Sequence, residues 1–321
     1  MIKGHGDDAY RYEDIRSDFS SNICVHEDHQ DLMAHLASHP ELISHYPEPE
    51  AWSLEKMIAK HLGIKPEQVI VTNGATEAIY LIAQTFPFEY TILGPTFSEY
   101  EDACNMFYSE PEQTSVWLCN PNNPNGHVYS KSELRMFARN FNLVVVDQSY
   151  EYSTLQPMLS AKEAVKMNNV IQIHSMTKAY GVPGLRLGFI TAREPFTEKL
   201  RQNLRPWSVN ALAIEAGKFL LENKNPCKPD LNETLRLYKS LRALKGVSVD
   251  STSTNFMLCK LSKRTAAELK DYLVREHRML IRDASNFVGL KDCHFRIATQ
   301  HPDYNDELVA AIYTFTRMKH G

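Results

Sequence analysis

The chain has 321 residues, 43% of them hydrophobic and 23% charged, with a formal net charge of -4. That balance suits one large apolar core beside a smaller one, and it excludes a nucleic-acid binder, which needs clustered lysine and arginine. No window reaches the length of a membrane span and the polar stretch from Met1 to Asp8 holds no apolar segment, so a cytoplasmic protein without membrane contact is expected.

The first 30 residues read as a polar arm in which Ser20-Ser21-Asn22 is the candidate for chemistry. Leu32, Met33 and Leu36 predict a short helix stopped by Pro40, and Trp52, Leu54, Met57, Ile58 and Leu62 predict the next one. A strand over 68–72 then meets Asn73-Gly74-Ala75-Thr76 and an apolar helical run to Phe86. Small residues at that helix start leave backbone N–H groups open to an anion, so a phosphate on Ala75 and Thr76 competes with simple capping by Asn73 or Thr76.

Strands ending at Leu93 and Cys119 run into Gly94-Pro95-Thr96-Phe97 and Asn120-Pro121-Asn122-Asn123, loops of turn formers and amides. The strand 142–146 has three consecutive valines, as in a parallel strand covered on both faces, and it stops at Asp147-Gln148-Ser149-Tyr150. Asp147 is a cap or loop acid on one reading and the partner of a buried cation on the other. In open α/β sheets ligands gather at the carboxyl ends of strands, so these loops can converge on one crevice.

The strand from Val170 leads into Ser175-Met-Thr177-Lys178-Ala-Tyr-Gly181-Val-Pro-Gly184-Leu-Arg186. The two glycines and the proline forbid a long helix and place Lys178 in a turn. Most lysines are solvated surface charges, but one held off solvent becomes a carbonyl nucleophile of the kind that carries pyridoxal 5'-phosphate as a Schiff base. Ser175, Thr177 and Arg186 are then candidate phosphate ligands. Ser175-x-x-Lys178, Ser208-Val209-Asn210 and Lys319-His320-Gly321 also mimic the serine acyl-transfer motifs of penicillin-binding enzymes, but the third lies at the chain end rather than on a core strand.

After a helix over 212–221 and the polar break from Asn223 to Pro229, helices over 231–244, 266–277 and 306–318 alternate with strands over 247–249, 255–261, 280–282 and 294–298, an α+β lobe. Arg282 and Arg296 stand at or within its strands, where they either grip a carboxylate and a phosphate or form surface ion pairs. The six cysteines, Cys24, Cys104, Cys119, Cys227, Cys259 and Cys293, form no Cys-x-x-Cys pair and have no histidine at metal spacing, so reduced thiols and no metal site are expected.

From about Phe19 onward these motifs together resemble the fold-type I pyridoxal-phosphate enzymes, the class I/II aminotransferase superfamily. The likeness is greatest to its threonine-phosphate decarboxylases, through Asp18-Phe-Ser-Ser-Asn-Ile23, Ser175 to Gly188, Pro206 to Ala213 and Leu280 to Leu290, and next to its histidinol-phosphate aminotransferases. The resemblance implies an α/β large domain, a mixed and mostly parallel sheet between helices, over 31–215, a small α+β domain over 216–321, and an arm, 1–30, packed on the latter. It implies pyridoxal 5'-phosphate on Lys178, Asp147 at the pyridinium nitrogen, Asn123 and Tyr150 at the ring hydroxyl, and Phe97 on the ring face. Ala75, Thr76, Ser175, Thr177 and Arg186 would hold the cofactor phosphate, with Tyr46 reaching it from the other subunit of a homodimer.

A small anionic amino acid would meet Arg296 through its carboxylate, with Arg282, Asn22 and His5 lining the same site. The implied activity is decarboxylation of O-phospho-L-threonine to (R)-1-amino-2-propanol phosphate, as in cobalamin biosynthesis. The alternatives are a histidinol-phosphate or aromatic aminotransferase using 2-oxoglutarate and, in another class, a pyridoxal-phosphate-binding protein without turnover. Two departures stand out: the chain between Phe107 and Val116 is short, and His5-Gly6-Asp7-Asp8 carries an aspartate where the decarboxylases have a second glycine.

Overall fold

The computed structural model describes residues 8–23 and 28–318. In chain order, β1 (Ser17–Asp18) lies in the arm, followed by α1 (Gln30–Ala37) and α2 (Trp52–Leu62). The large sheet then begins with β2 (Val69–Thr72), α3 (Gly74–Thr85), β3 (Phe88–Ile92), α4 (Glu99–Phe107), β4 (Glu110–Cys119), α5 (Lys131–Asn140) and β5 (Leu143–Asp147). It continues through α6 (Ala161–Ala164), β6 (Val170–Ser175), α7 (Met176–Ala179), β7 (Gly188–Thr191), α8 (Glu194–Asn203) and α9 (Ala211–Asn223). The remaining elements are α10 (Leu231–Arg242), β8 (Val247–Val249), β9 (Phe256–Leu261), α11 (Ala266–Tyr272), β10 (Met279–Leu280), β11 (Arg282–Asp283), β12 (His294–Ala298) and α12 (Pro302–Arg317).

Six strands form one sheet in the order β2-β7-β6-β5-β4-β3, in which only β7 runs against its neighbours. β5 and β6 are buried along their whole length, which accounts for their unbroken apolar runs. One face of the sheet packs Ile70, Trp117, Val145, Ile171 and Ile190 against α3 and α4, while Val116, Leu118, Val144 and Val146 pack on the other face with Leu134 of α5. Because β2, β3, β4, β5 and β6 all point the same way, their carboxyl ends form one rim, and antiparallel β7 begins at that rim.

The antiparallel sheet β11-β12-β9-β8 belongs to the α+β lobe. The single strand expected over 280–282 is two: β10 pairs with β1 of the arm and β11 with β12, since one backbone edge cannot serve both neighbours. Phe19, fully buried, joins Leu237, Phe295 and Leu308 in the core of that lobe. The boundary expected at 215/216 falls inside α9, whose Ala216 and Leu220 share an apolar cluster with Leu54 and Leu187.

Two further expectations change. Lys178 sits in a single helical turn, α7, which ends where Gly181 takes φ +65° and Pro183 follows. Cys104, Cys119, Cys259 and Cys293 are free, but Cys227 is disulfide-bonded, so separation along the sequence was no guide to its redox state. Among the described residues no helix is long and apolar enough to cross a membrane.

Candidate active site

A cavity of about 640 Å³ opens at the carboxyl rim of the large sheet and reaches the α+β lobe. At one end lies the start of α3. Gly74 has φ +75°, and a Cβ there would come within 2.6 Å of the Arg186 guanidinium, so arginine and helix terminus press directly together. Gly188 is as constrained: an added Cβ would meet backbone atoms of Ala75, Gly74 and His174 at 2.8, 2.8 and 2.9 Å. Only glycine lets β7 bring this helix start against the end of β6. Free N–H groups, the helix dipole, the hydroxyls of Ser175 and Thr177, and Arg186 therefore face one corner of the cavity, a fit for a phosphate dianion.

Asp147, 4% exposed, ends β5 at the cavity floor. Its Oδ1 accepts from the Ser149 N–H at 2.8 Å and its Oδ2 from the Tyr100 hydroxyl at 2.6 Å. Burial pushes Asp147 up from its ordinary value, and the bonds from Ser149 and Tyr100 oppose that shift. A carboxylate so held favours a cation beside it, such as a protonated ring nitrogen. Burial also pushes the Tyr150 phenol up to about 12, keeping it a neutral hydrogen-bond donor. Phe97 and Lys178 line the same cavity.

The far wall is cationic. Arg282 and Arg296 are direct cross-strand partners on β11 and β12, 9% and 4% exposed. Arg296 Nη1 donates to Asn123 Oδ1 at 2.6 Å and Nη2 donates to the Ser20 carbonyl. Arg282 Nη2 donates to Asn286 Oδ1 at 2.7 Å, and its guanidinium lies 5.4 Å from the Phe287 ring centroid. Desolvation first, and Arg296 second, pull Arg282 down to about 10, while desolvation lowers Arg296. Like charges facing each other across a sheet are destabilising, and burial makes that worse. Anions in the cavity would relieve both costs.

Of the residues expected from sequence, Asn22, Ala75, Thr76, Phe97, Asn123 and Asp147 line this one cavity, as do Tyr150, Ser175, Thr177, Lys178, Arg186, Arg282 and Arg296. Tyr46 does not: it is 89% exposed on the surface, 5.8 Å from the Trp207 ring. His5 lies outside the described residues. Sequence reasoning missed Tyr100, whose place three residues after Phe97, at the start of α4, was the available signal. It also missed Glu99, held by the Tyr80 hydroxyl at 2.8 Å.

An amine, a buried carboxylate with a phenol nearby and a phosphate corner around one cavity define a pyridoxal-phosphate enzyme. Ser20 Oγ and Arg296 Nε, buried in the cavity wall, have no hydrogen-bond partner among the described residues, as polar atoms kept for a ligand would. The chain belongs to the aminotransferase class I and II family, whose model matches residues 108–312, and its cofactor is pyridoxal 5'-phosphate. The fold is that of the fold-type I transferases.

The L-threonine-O-3-phosphate decarboxylase of Porphyromonas gingivalis superposes with a TM-score of 0.89 at 37% identity, over 94% of this chain and 100% of that one. The threonine-phosphate decarboxylase of Salmonella typhimurium is 27% identical, over 92% of this chain and 90% of its own. The histidinol-phosphate aminotransferase of Sinorhizobium meliloti, solved in complex with pyridoxal-5'-phosphate, shares the fold at a TM-score of 0.79 and 18% identity, over 94% of this chain and 91% of its own.

Proposed function

We propose that the protein decarboxylates O-phospho-L-threonine to (R)-1-amino-2-propanol phosphate. The observation that carries this reading is the pair Arg282 and Arg296, two buried like charges side by side across the cavity from the phosphate corner. A substrate with one carboxylate suits one of them, and a substrate with a second anion suits both. The likeness to the Porphyromonas decarboxylase along nearly the whole chain points the same way.

The bound cofactor supplies the electron sink that accepts the pair left behind when CO2 departs. The protein supplies position and protons. Lys178, on the cavity wall, would hold the cofactor through its amine, and the same amine would supply the proton that Cα gains where the carboxylate leaves as CO2. Asp147 would keep the cofactor's ring nitrogen protonated, Asn123 and Tyr150 would hold its ring hydroxyl, and Phe97 would cover the ring. Ala75, Thr76, Ser175, Thr177 and Arg186 would hold the cofactor phosphate. Arg296, braced by Asn123 and the Ser20 carbonyl, takes the substrate carboxylate, while Arg282, with Asn22 and His5, takes the substrate phosphate and fixes rotation about the N–Cα bond. Each charge-assisted contact would contribute about 1.5 to 3 kcal/mol toward holding the substrate in one orientation.

The division into an arm over 1–30, a large domain over 31–215 and a small domain over 216–321 is part of the same proposal. So is a homodimer in the cytoplasm, supported by the exposed pair of Tyr46 and Trp207, with Tyr46 completing the partner's phosphate corner. The test is to incubate the enzyme and pyridoxal phosphate with phosphothreonine, without any keto acid, and to measure CO2. Transfer of an amino group from histidinol phosphate to 2-oxoglutarate, with no CO2 from phosphothreonine, would establish the aminotransferase instead.

A further inference from the structure

His174 stands directly before Ser175 on β6, and strand alternation turns it to the face opposite the cavity. It is 2% exposed and lies flat on Phe189, with ring centroids 4.5 Å apart and planes 12° from parallel. Nδ1 is 2.9 Å from Glu151 Oε1, and Nε2 is 3.0 Å from Thr191 Oγ1. Donor and acceptor identities settle what these bonds are. The Thr191 hydroxyl spends its one hydrogen on Gln172 Oε1 at 3.2 Å. That Gln172 amide is oriented by its own Nε2, which donates to the Leu159 carbonyl at 2.9 Å. A Thr191 hydroxyl turned toward Gln172 presents only its oxygen to His174, as an acceptor, and an ionised Glu151 carboxylate can only accept as well. With both contacts made, both ring nitrogens donate.

We propose that His174 is a buried imidazolium acting as a positioning residue for the cofactor ring: through Glu151 it fixes the adjoining Tyr150, and its charge helps hold Asp147 as a carboxylate. The connections are short. Glu151 follows Tyr150 directly, so the Glu151–His174 bond anchors the backbone that aims the phenol into the cavity. Asp147 is in register with Ile173, the residue before His174, on the neighbouring strand. The field of His174 opposes the effect of burial on Asp147. A cation behind the sheet thus supports an anion in front of it, which in turn supports the protonated ring nitrogen. The inference rests on the pyridoxal-phosphate cofactor and is independent of which substrate bond is broken.

The direct test is ¹⁵N NMR of the full-length holoprotein with labelled histidine, the His174 signals being identified by their loss in His174→Gln. Both ring nitrogens are expected at protonated positions. One nitrogen at the position of an unprotonated imidazole overturns the proposal. With ¹⁵N-labelled pyridoxal phosphate, His174→Gln and Glu151→Gln should each move the bound pyridine nitrogen toward its free-base position and raise the cofactor dissociation constant about fivefold or more. An unchanged pyridine resonance in a folded variant overturns the role toward Asp147, because loss of packing alone would not titrate that nitrogen. Should His174→Gln fail to fold, the His174 signals are identified instead as the pair that shifts in Glu151→Gln, whose side chain is partly exposed and whose replacement keeps an acceptor, and the wild-type spectrum then decides.

Discussion

Tyr100→Phe removes one oxygen from the site and leaves the rest of the residue in place. The ring is 1% exposed and packs on Trp117 at 6.1 Å and Phe97 at 5.9 Å, contacts that phenylalanine keeps. What disappears is the 2.6 Å bond to Asp147 Oδ2, which with the bonds from Ser149 opposes the upward push of burial on that carboxylate. A hydrogen bond to a buried charge contributes about 1.5 to 3 kcal/mol. Without cofactor, Asp147 can escape by binding a proton. With cofactor it must stay charged opposite the ring cation, so the lost bond weighs mainly on the bound state. At about 1.4 kcal/mol per factor of ten, the pyridoxal-phosphate dissociation constant should rise about tenfold or more. Equilibrium dialysis of the folded variant against graded cofactor measures it. A value within twofold of wild type would show that Tyr100 does not support Asp147 and would refute the argument.

Lys178→Ala should eliminate the cofactor adduct that borohydride traps, together with turnover, as mass spectrometry of the reduced protein would reveal; retained trapping would move the attachment site elsewhere. Gly188→Ala should leave little cofactor binding, because its methyl group would meet three backbone atoms within 2.9 Å; binding as tight as wild type would contradict the close approach of β7 to α3. Burial holds the folded-state Asp147 above its ordinary value, so the stability it contributes to the cofactor-free protein is full below the usual carboxylate range and is lost as pH rises through the raised value. Urea unfolding of that form should show a component of stability falling with pH that Asp147→Asn removes, and an identical pH profile in the variant would count against the shift. Sedimentation should find a dimer and Tyr46→Ala should weaken cofactor binding; unchanged binding, or full activity in a monomer, would exclude a shared site.

Much of the site was legible because its residues sit where local pattern breaks. Asp147 ends a run of valines, Asn123 follows a strand in a loop of prolines, and Lys178 follows a strand whose continuation two glycines cut short. Breaks of this kind are visible along one dimension. Tyr100 was not, because it sits on an ordinary amphipathic helix and becomes part of the site only when α4 packs over β4 and β5. The repulsion between Arg282 and Arg296 was hidden for a similar reason, since cross-strand register cannot be read from either strand alone. Strand β7 is a short apolar run that signals neither direction nor partner, yet it closes the phosphate corner through Gly188. The break between β10 and β11 depends on the arm, a segment distant in sequence that claims the first two residues.

The measurement closest to the central claim is CO2 release from O-phospho-L-threonine by the enzyme with pyridoxal phosphate and no keto acid, followed alongside appearance of the amino alcohol phosphate. One CO2 and one (R)-1-amino-2-propanol phosphate per substrate are expected over many turnovers, lost on Lys178→Ala and strongly reduced in Arg282→Ala. Conversion of 2-oxoglutarate to glutamate in step with an amino donor, with phosphothreonine yielding no CO2, would contradict it.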